Sequence, residues 1–266
     1  MPFSSDSSEE SGIYGSIQGE SVFGMNNSRK QKEVKNKEKT VAAVPESIDN
    51  SCAAEWDTGL SMEELWKLPE FQKAGSLARS KMQEYLMELD VRYQARTGNS
   101  FIRLIESRMK SLESIERKLE RKGFEKNTES MLTNLHDLSG VHVICYDIKQ
   151  IYWIARRIAD DGQYEIVKVK DYVRKPKRNG YESYHVVCNV PVSVEGRIHI
   201  VEVELQIRTI LMDAWASLDT KLRYKKKEPL SDEMELQIRK YAKWSRRLDK
   251  MVRNIMELSQ ENDFGN

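Results

Sequence analysis

The chain has 266 residues, 43 lysines and arginines against 42 aspartates and glutamates, and a formal net charge of +1. That length suits one good-sized core with appendages or two small domains, and the balanced charge gives no whole-molecule attraction to nucleic acid, so any anion site must be local. No run reaches the ~18 apolar residues of a membrane span, and Cys52, Cys145 and Cys188 lie far apart without a CxxC or zinc spacing, which argues against a disulfide framework or a structural metal and leaves ordinary buried thiols.

Residues 1–58 read as a disordered, low-complexity tail. The opening is rich in serine, glycine and acid, and "SRKQKEVKNKEK" follows with six basic residues, two acids and a single valine; such a stretch buries too little surface to offset its ordering entropy. It has neither the basic start nor the apolar core of a signal peptide, so a cytoplasmic protein is expected. Residues 59–74 read as a short helical linker, with Ser61 and Glu64 spaced as a capping box and Pro69 ending the helix. A longer amphipathic helix is predicted from Phe71 to about Arg96, running to Gly98, on Leu77, Met82, Leu86, Leu89 and Tyr93.

Four β-rich runs follow at 140–146, 164–173, 184–192 and 197–209, with a helix ended by Gly162 between the first two, a strand, helix, strand unit. Two helices close the chain, one from Ile210 to about Lys226 before Pro229 and one opening at Ser231 with Asp232 and Glu233 at its positive end. The expectation is a mixed α/β (α+β) sheet of about five strands flanked by helices.

Polar residues gather in four places. "SRMKSLESIERKLERKG" (107–123) reads as a short extended lead-in and then a helix with N-cap Ser111. Its apolar stripe is Leu112, Ile115 and Leu119, its acidic stripe Glu113, Glu116 and Glu120, and its basic stripe Ser114, Arg117, Lys118 and Arg121. With Arg108 and Lys110 before the cap, this reads equally as a polyphosphate cradle and as a solvated helix laced by ion pairs. In "IVEVELQIRT", period-two alternation puts Val201, Val203, Leu205 and Ile207 on one face and Glu202, Glu204, Gln206 and Arg208 on the other. Two carboxylates there repel unless a cation, a substrate proton or water lies against them. Asp137, at the mouth of the first strand, either holds Mg²⁺ for a nucleotide or caps a turn. In "KRNGYESYH" (177–185), Gly180 allows close approach of a ligand, Lys177 and Arg178 bring charge, Tyr181 brings a flat face and His185 a donor; a basic hairpin explains the same residues.

In this order the motifs "SRMKSLESIERKLERKG", "HDLSGVHVICY", "VKVKDYVRKPKRNGYESYH" and "VELQIRTILMDAWASLDTKLRYK" resemble the synthetase domain of the RelA/SpoT homologue family, above all its small alarmone synthetases, across residues 75–258. The resemblance implies a nucleotidyltransferase-like fold in a domain of residues 75–260, and transfer of the β,γ-pyrophosphate of ATP to the ribose 3′-hydroxyl of GDP or GTP. It places Arg108, Lys110, Ser114, Lys118 and Arg121 on the ATP phosphates and adenine, and Asp137 on Mg²⁺. Glu204 would take the 3′-hydroxyl proton or share the metal, with Gln206 and Arg208 beside it. Tyr181 would stack on guanine, and Lys170, Lys177 and His185 would meet the acceptor phosphates. A homotetramer packed through terminal helices is also implied, fitting the stripe Ile238, Tyr241, Leu248, Met251 and Ile255, which could equally close the monomer core.

The chain departs from the family pattern at His142, where an arginine usually lies on the adenine, at Glu182, which sets a carboxylate beside a phosphate site, and at Asp219 and Thr220, where glutamate and histidine are usual. Two alternatives are therefore kept. One is a toxin-like relative acting on tRNA 3′ ends or adenine nucleotides, with the basic tail and "RYKKK" as its RNA-facing charge; the other is a nucleotide-binding module without turnover. No room is expected for a hydrolase domain, since His136 and Asp137 form the only HD pair.

Overall fold

The structure is a computed structural model that describes residues 54–223 and 229–263. The expected tail up to residue 53, the basic run within it, Cys52 and most of "RYKKK" lie outside the described residues; its last residues, 54–58, are not disordered, since Ala54 N–H donates to Ile198 O at 2.7 Å and Trp56 stacks on His199 at 4.3 Å. Helix α1 (Met62–Lys67) carries the predicted capping box: Glu64 N–H donates to Ser61 Oγ, and Ser61 N–H donates to Glu64, a cap worth about 1 kcal/mol. Leu68 ends it, and Pro69 opens α2 (Pro69–Thr97) at the one helical turn where a missing N–H costs nothing. A domain boundary at residue 75 falls inside α2.

Strand β1 (Leu104–Met109) follows, then α3 (Leu112–Lys122), α4 (Thr128–Asn134), β2 (Ser139–Cys145), α5 (Ile148–Asp161), β3 (Glu165–Asp171), β4 (Tyr184–Val194), β5 (Arg197–Thr209), α6 (Ile210–Arg223) and α7 (Asp232–Asp263). The five strands form one mixed sheet in the order β1-β2-β5-β4-β3, with β2 and β5 parallel and the other pairs antiparallel. The fifth strand, β1, extends the lead-in expected only before Ser111. β2 and β3 are joined by α5, but β5 and β4 lie between them, so the crossover spans the sheet. β4 and β5 meet in a two-residue turn at Glu195 (φ 51°) and Gly196 (φ 81°), the left-handed pair that suits a twisted hairpin.

Helices α2 and α5 cover one face of the sheet. Met82, Leu86 and Leu89 of α2 and Ile151, Ile154 and Ile158 of α5 pack on Val141, Val143, Val186, Val203, Leu205 and Ile207, which is the apolar alternation read from "IVEVELQI". Leu77, expected in the stripe of α2, is exposed, because α2 buries only one side. A second cluster joins α1, α3 and α4 through Leu65, Ile115, Leu119 and Met131, so residues 62–74 belong to the packed body. A third holds α6 to α7 through Trp215, Ala216, Leu230, Ile238 and Ala242. Ile238 therefore closes the monomer core, whereas Tyr241, Leu248, Met251 and Ile255 are exposed. Cys145 and Cys188 are free, buried thiols, as expected. Among the described residues no helix is long and apolar enough to cross a membrane.

α7 also buries Asp249 at 2% exposure. Burial raises its carboxyl to about 6; a hydrogen bond with Thr209 opposes this, and the charges of Glu182 and Asp147 add to it. A raised carboxylic acid favours the fold in its neutral form, so its contribution is present at low pH and lost as pH rises through about 6. Asp249→Asn is expected to raise stability by about 2 kcal/mol at pH 8 and to change little near pH 3.5, below the ordinary aspartate value of 3.8. Urea unfolding of both proteins at the two pH values measures the difference.

Candidate functional site

The opposite face of the sheet is polar, and the strand register explains why the site residues meet there. Cross-strand partners share a face. One row runs Arg108, Gly140, Glu204, Val187, Lys168; the next runs Glu106, His142, Gln206, His185, Lys170. Four candidates from three distant motifs, His142, Gln206, His185 and Lys170, thus stand in a single row. Gly140 leaves a gap between Arg108 and Glu204. A Cβ there would meet only ordinary contacts at 3.8 and 3.9 Å, so the glycine keeps space open above the sheet rather than relieving a clash.

A cleft of about 220 Å³ lies over this face, lined in part by Lys118, Lys122, Asp137, Lys168, Lys170 and Glu204. Lys122 is pushed down by burial and then by the charges of Lys118, Lys170 and Lys168, with Asp137 opposing. Lys177 is pushed down by burial and then by Lys170, Arg121 and Lys118, with Glu204 opposing. Cations that depress one another have too few anions among them. A nearly neutral chain has concentrated positive charge at one cleft, the arrangement a polyanion needs.

Asp137 sits in the loop before β2. Lys110 Nζ and Lys118 Nζ both donate to its Oδ2, at 2.9 and 2.6 Å. Burial pushes its carboxyl up, but the two ammonium groups outweigh that and hold it below its ordinary value. Its Oδ1 is buried with no partner. Lys110 is fixed by its backbone, whose N–H donates to Leu138 O at 2.8 Å and whose carbonyl accepts from Trp66 Nε1 at 3.1 Å. In α3, Ser111 donates to Ser114 Oγ at 2.9 Å and makes no side-chain cap; Arg117 Nη2 also donates to Ser114, at 3.3 Å. Arg108 and His142 line a separate shallow pocket with Glu106 and Ser107. His142 is held at about 4, by burial first and then by the charges of Arg208 and Arg108, and is neutral at pH 7.

Glu204 is fixed by two arms that start at one guanidinium. Arg208 Nη2 donates to Tyr181 Oη at 2.9 Å, and Tyr181 Oη lies 2.8 Å from His185 Nε2. His185 Nδ1 lies 2.9 Å from Glu204 Oε1. The other arm runs from Arg208 to Gln206 Oε1, and Gln206 Nε2 donates to Glu204 Oε2 at 2.7 Å. Arg208 is itself held by Asp213 at 3.0 Å. Burial lowers His185 against the pull of Glu204, so it is neutral at pH 7; with its proton on Nδ1 it donates to Glu204 and accepts from Tyr181. Burial raises Glu204, but His185, Gln206 and the charge of Lys118 bring it down to about 2.

These bonds show what the expected site residues touch within the chain. Both nitrogens of His185 are engaged, Gln206 bridges Arg208 to Glu204, and Arg208 is 7% exposed. All three hold Glu204 in this arrangement. Gly180 makes its close approach to α7, not to open space: a Cβ there would lie 2.4 Å from Ala242 Cβ. Glu182 is buried and paired with Arg246 of α7, so it faces away from the cationic cleft. Asp219 pairs with Arg223, which also reaches Glu235 of α7, while Thr220 is exposed. Tyr181 has Lys177 Nζ over its ring at 4.4 Å, and the same ammonium lies 4.6 Å over Tyr172. Lys122, Lys168 and Arg246 were missed; Lys168 was within reach of sequence reasoning, since it alternates with Lys170 on β3.

A family model described as a region found in RelA/SpoT proteins matches residues 107–229. GTP pyrophosphokinase YwaC of Bacillus subtilis is 40% identical over 158 residues, which cover 59% of this chain and 75% of that protein. The chain belongs to the RelA/SpoT family. Its fold matches small alarmone synthetase 2 from Bacillus subtilis at a TM-score of 0.63 and 34% identity, covering 72% of this chain and 99% of that one. Small alarmone synthetase 1 of the same organism, bound to its product pppGpp, matches at 0.66 and 25%, covering 74% and 99%. This RelA/SpoT member is thus a small alarmone synthetase in fold, with its Asp137 and Glu204 on the family's matched segment.

The paired lysines make a direct test of the electrostatics. In Lys118→Ala the Asp137 carboxyl is expected to titrate higher than in the unaltered protein, read from its side-chain ¹³C resonance. An unchanged titration would mean that Lys110 alone holds it.

Proposed function

We propose that the chain is an alarmone synthetase, a GTP pyrophosphokinase that moves the β,γ-pyrophosphate of ATP onto the 3′-hydroxyl of GDP or GTP. The observation that carries this reading is the cleft itself. Two carboxylates held ionised, Asp137 and Glu204, share it with a surplus of lysines, in a chain 40% identical to a GTP pyrophosphokinase.

Arg108, Lys110, Ser114, Lys118 and Arg121 take the ATP phosphates and adenine, and His142 lies on the adenine side. Because His142 is neutral, it offers that base an uncharged ring rather than a cation. The buried, unpartnered Oδ1 of Asp137 fits a Mg²⁺ ligand, with Glu204 as the second carboxylate and the substrate phosphates as remaining oxygen donors. Bound there, Mg²⁺ would offset charge on the transferring phosphates. Lys110 and Lys118 exchange part of their bond to Asp137 for the ATP phosphates.

Glu204, at about 2, is a weak base in the ligand-free protein. Its main work is to orient the 3′-hydroxyl by accepting its hydrogen, fixed in place by His185 and Gln206, and it takes that proton only as negative charge arrives with the substrates. Lys170 and Lys177 take the acceptor phosphates. Lys177 leaves the Tyr181 ring when they bind, which opens that face for guanine. The catalytic domain begins at α1, because Leu65 is packed with Ile115 and Leu119. The buried free thiols support a cytoplasmic location.

Purified protein incubated with γ-labelled ATP, Mg²⁺ and GDP or GTP is expected to pass label to the guanine nucleotide, with Glu204→Gln at least ~10²-fold slower. Label passing only to tRNA or to an adenine nucleotide would reverse the acceptor assignment. His142→Arg is expected to lower the KM for ATP about threefold by supplying the missing cation.

Self-association through α7 is part of the proposal. Tyr241, Trp244, Leu248, Met251, Ile255 and Leu258 recur at alternating three- and four-residue steps, and all are exposed, the seam of a helix that packs on a helix. A homotetramer is expected, and Met251→Glu with Ile255→Glu should give a smaller species by light scattering after gel filtration.

A further inference from the structure

We propose that α7 is the back wall of the acceptor site, and that Arg246, acting through Glu182, positions the loop that presents Tyr181 and so sets affinity for the guanine nucleotide. This rests on the reading of residues 177–185 as the acceptor loop.

Three contacts tie that loop to α7. The first is backbone. Gly180 has φ 97° and lies so near α7 that a Cβ would fall 2.4 Å from Ala242 Cβ and 3.7 Å from the Trp215 ring; no side chain fits, and few residues adopt that φ. The second is the ion pair of Glu182 with Arg246, whose Nε also donates to Glu182 Oε1 at 2.6 Å. Glu182 is 6% exposed, so its carboxylate has left water for this one cation. Burial pushes that carboxyl up, and Arg246 opposes the push. The third is Trp215, whose ring meets the Tyr181 ring edge-on at 6.2 Å and whose Nε1 donates to Ile238 O of α7 at 3.0 Å.

Tyr181 is therefore bracketed, with Gly180 and Glu182 anchored to α7 on either side. Two anchors on one side leave the intervening side chain directed to the other, where its hydroxyl meets His185 and Arg208. A loop released at Glu182 loses one bracket and lets the ring swing. Arg246 has no other ion pair among the described residues and lines none of the described pockets. It acts on the nucleotide only through Glu182, as a positioning residue. The carboxylate that departs from the family pattern at 182 and the arginine at 246 form one unit.

The test is a split of kinetic constants in the full chain. Arg246→Ala is expected to raise the KM for GDP and GTP about tenfold, while kcat and the KM for ATP stay within about twofold. Glu182→Gln should act in the same direction, and Arg246→Lys more weakly. The exchanged pair, Glu182→Arg with Arg246→Glu, should bring the acceptor KM back to within about threefold of the unaltered protein. If acceptor and ATP constants rise together with a lowered Tm, and the exchanged pair does not recover, the contact is structural only and the inference fails. If Arg246→Ala does not fold, Glu182→Gln and Arg246→Lys carry the same comparison. Calorimetric titration with GDP separates the two levels of the argument. An unaltered protein that neither binds GDP nor transfers pyrophosphate overturns the functional reading, and this inference with it. One that does both, beside an Arg246→Ala variant with unchanged GDP binding, overturns this inference alone.

Discussion

The register of β5 between β2 and β4 is the constraint on which the rest depends. Alternation along β5 sends Val203, Leu205 and Ile207 to the core under α2 and α5, and Glu204 and Gln206 to the open face. A slip of one residue would bury the carboxylate and expose the core set. Because three buried apolar side chains oppose that slip, the position of Glu204 is enforced by hydrophobic burial, and the polar row needs no stabilisation of its own. The neighbouring strands inherit the register, which is how His142, His185 and Lys170 reach one row.

The cleft so formed is electrostatically incomplete. Lys110 and Lys118 are satisfied by Asp137, yet Lys122 and Lys177 are both depressed by burial and by neighbouring cations. In the proposed reaction a polyphosphate would supply the missing negative charge, and its binding would relieve a repulsion already present in the free protein. Glu204 shares the cleft with Lys118 and Lys122 but is held by a hydrogen-bonded frame, with Arg208 as its single origin. In the proposed reaction that rigidity matters more than basicity, because the carboxylate would have to meet a hydroxyl at a set distance.

The loop at 177–185 belongs to two structures at once. Its front meets the strand row through Tyr181 and His185, and its back lies on α7 through Gly180 and Glu182. The helix that carries an exposed heptad seam is thus the same helix that backs the 177–185 loop.

Local order determined much of this protein before any tertiary contact. The capping box at Ser61, the alternation of β5, the limits of α2 and α5 and the three stripes of α3 follow from the periods of helix and strand and from short-range capping, which depend on neighbours in sequence. The same periods grouped Glu204 with Gln206 and Arg208 and sorted the basic residues of α3; Asp137 stood out by its place at the mouth of a strand, and the roles of all of these came from the family resemblance. Tertiary structure decided what those periods cannot carry. That Glu182 meets Arg246 across 64 residues, that Gly180 approaches a helix, and that His185, Gln206 and Arg208 converge on Glu204 all depend on which elements pack together. A residue's type and spacing state which partners it can accept; only the packed chain determines which partner is within three ångströms.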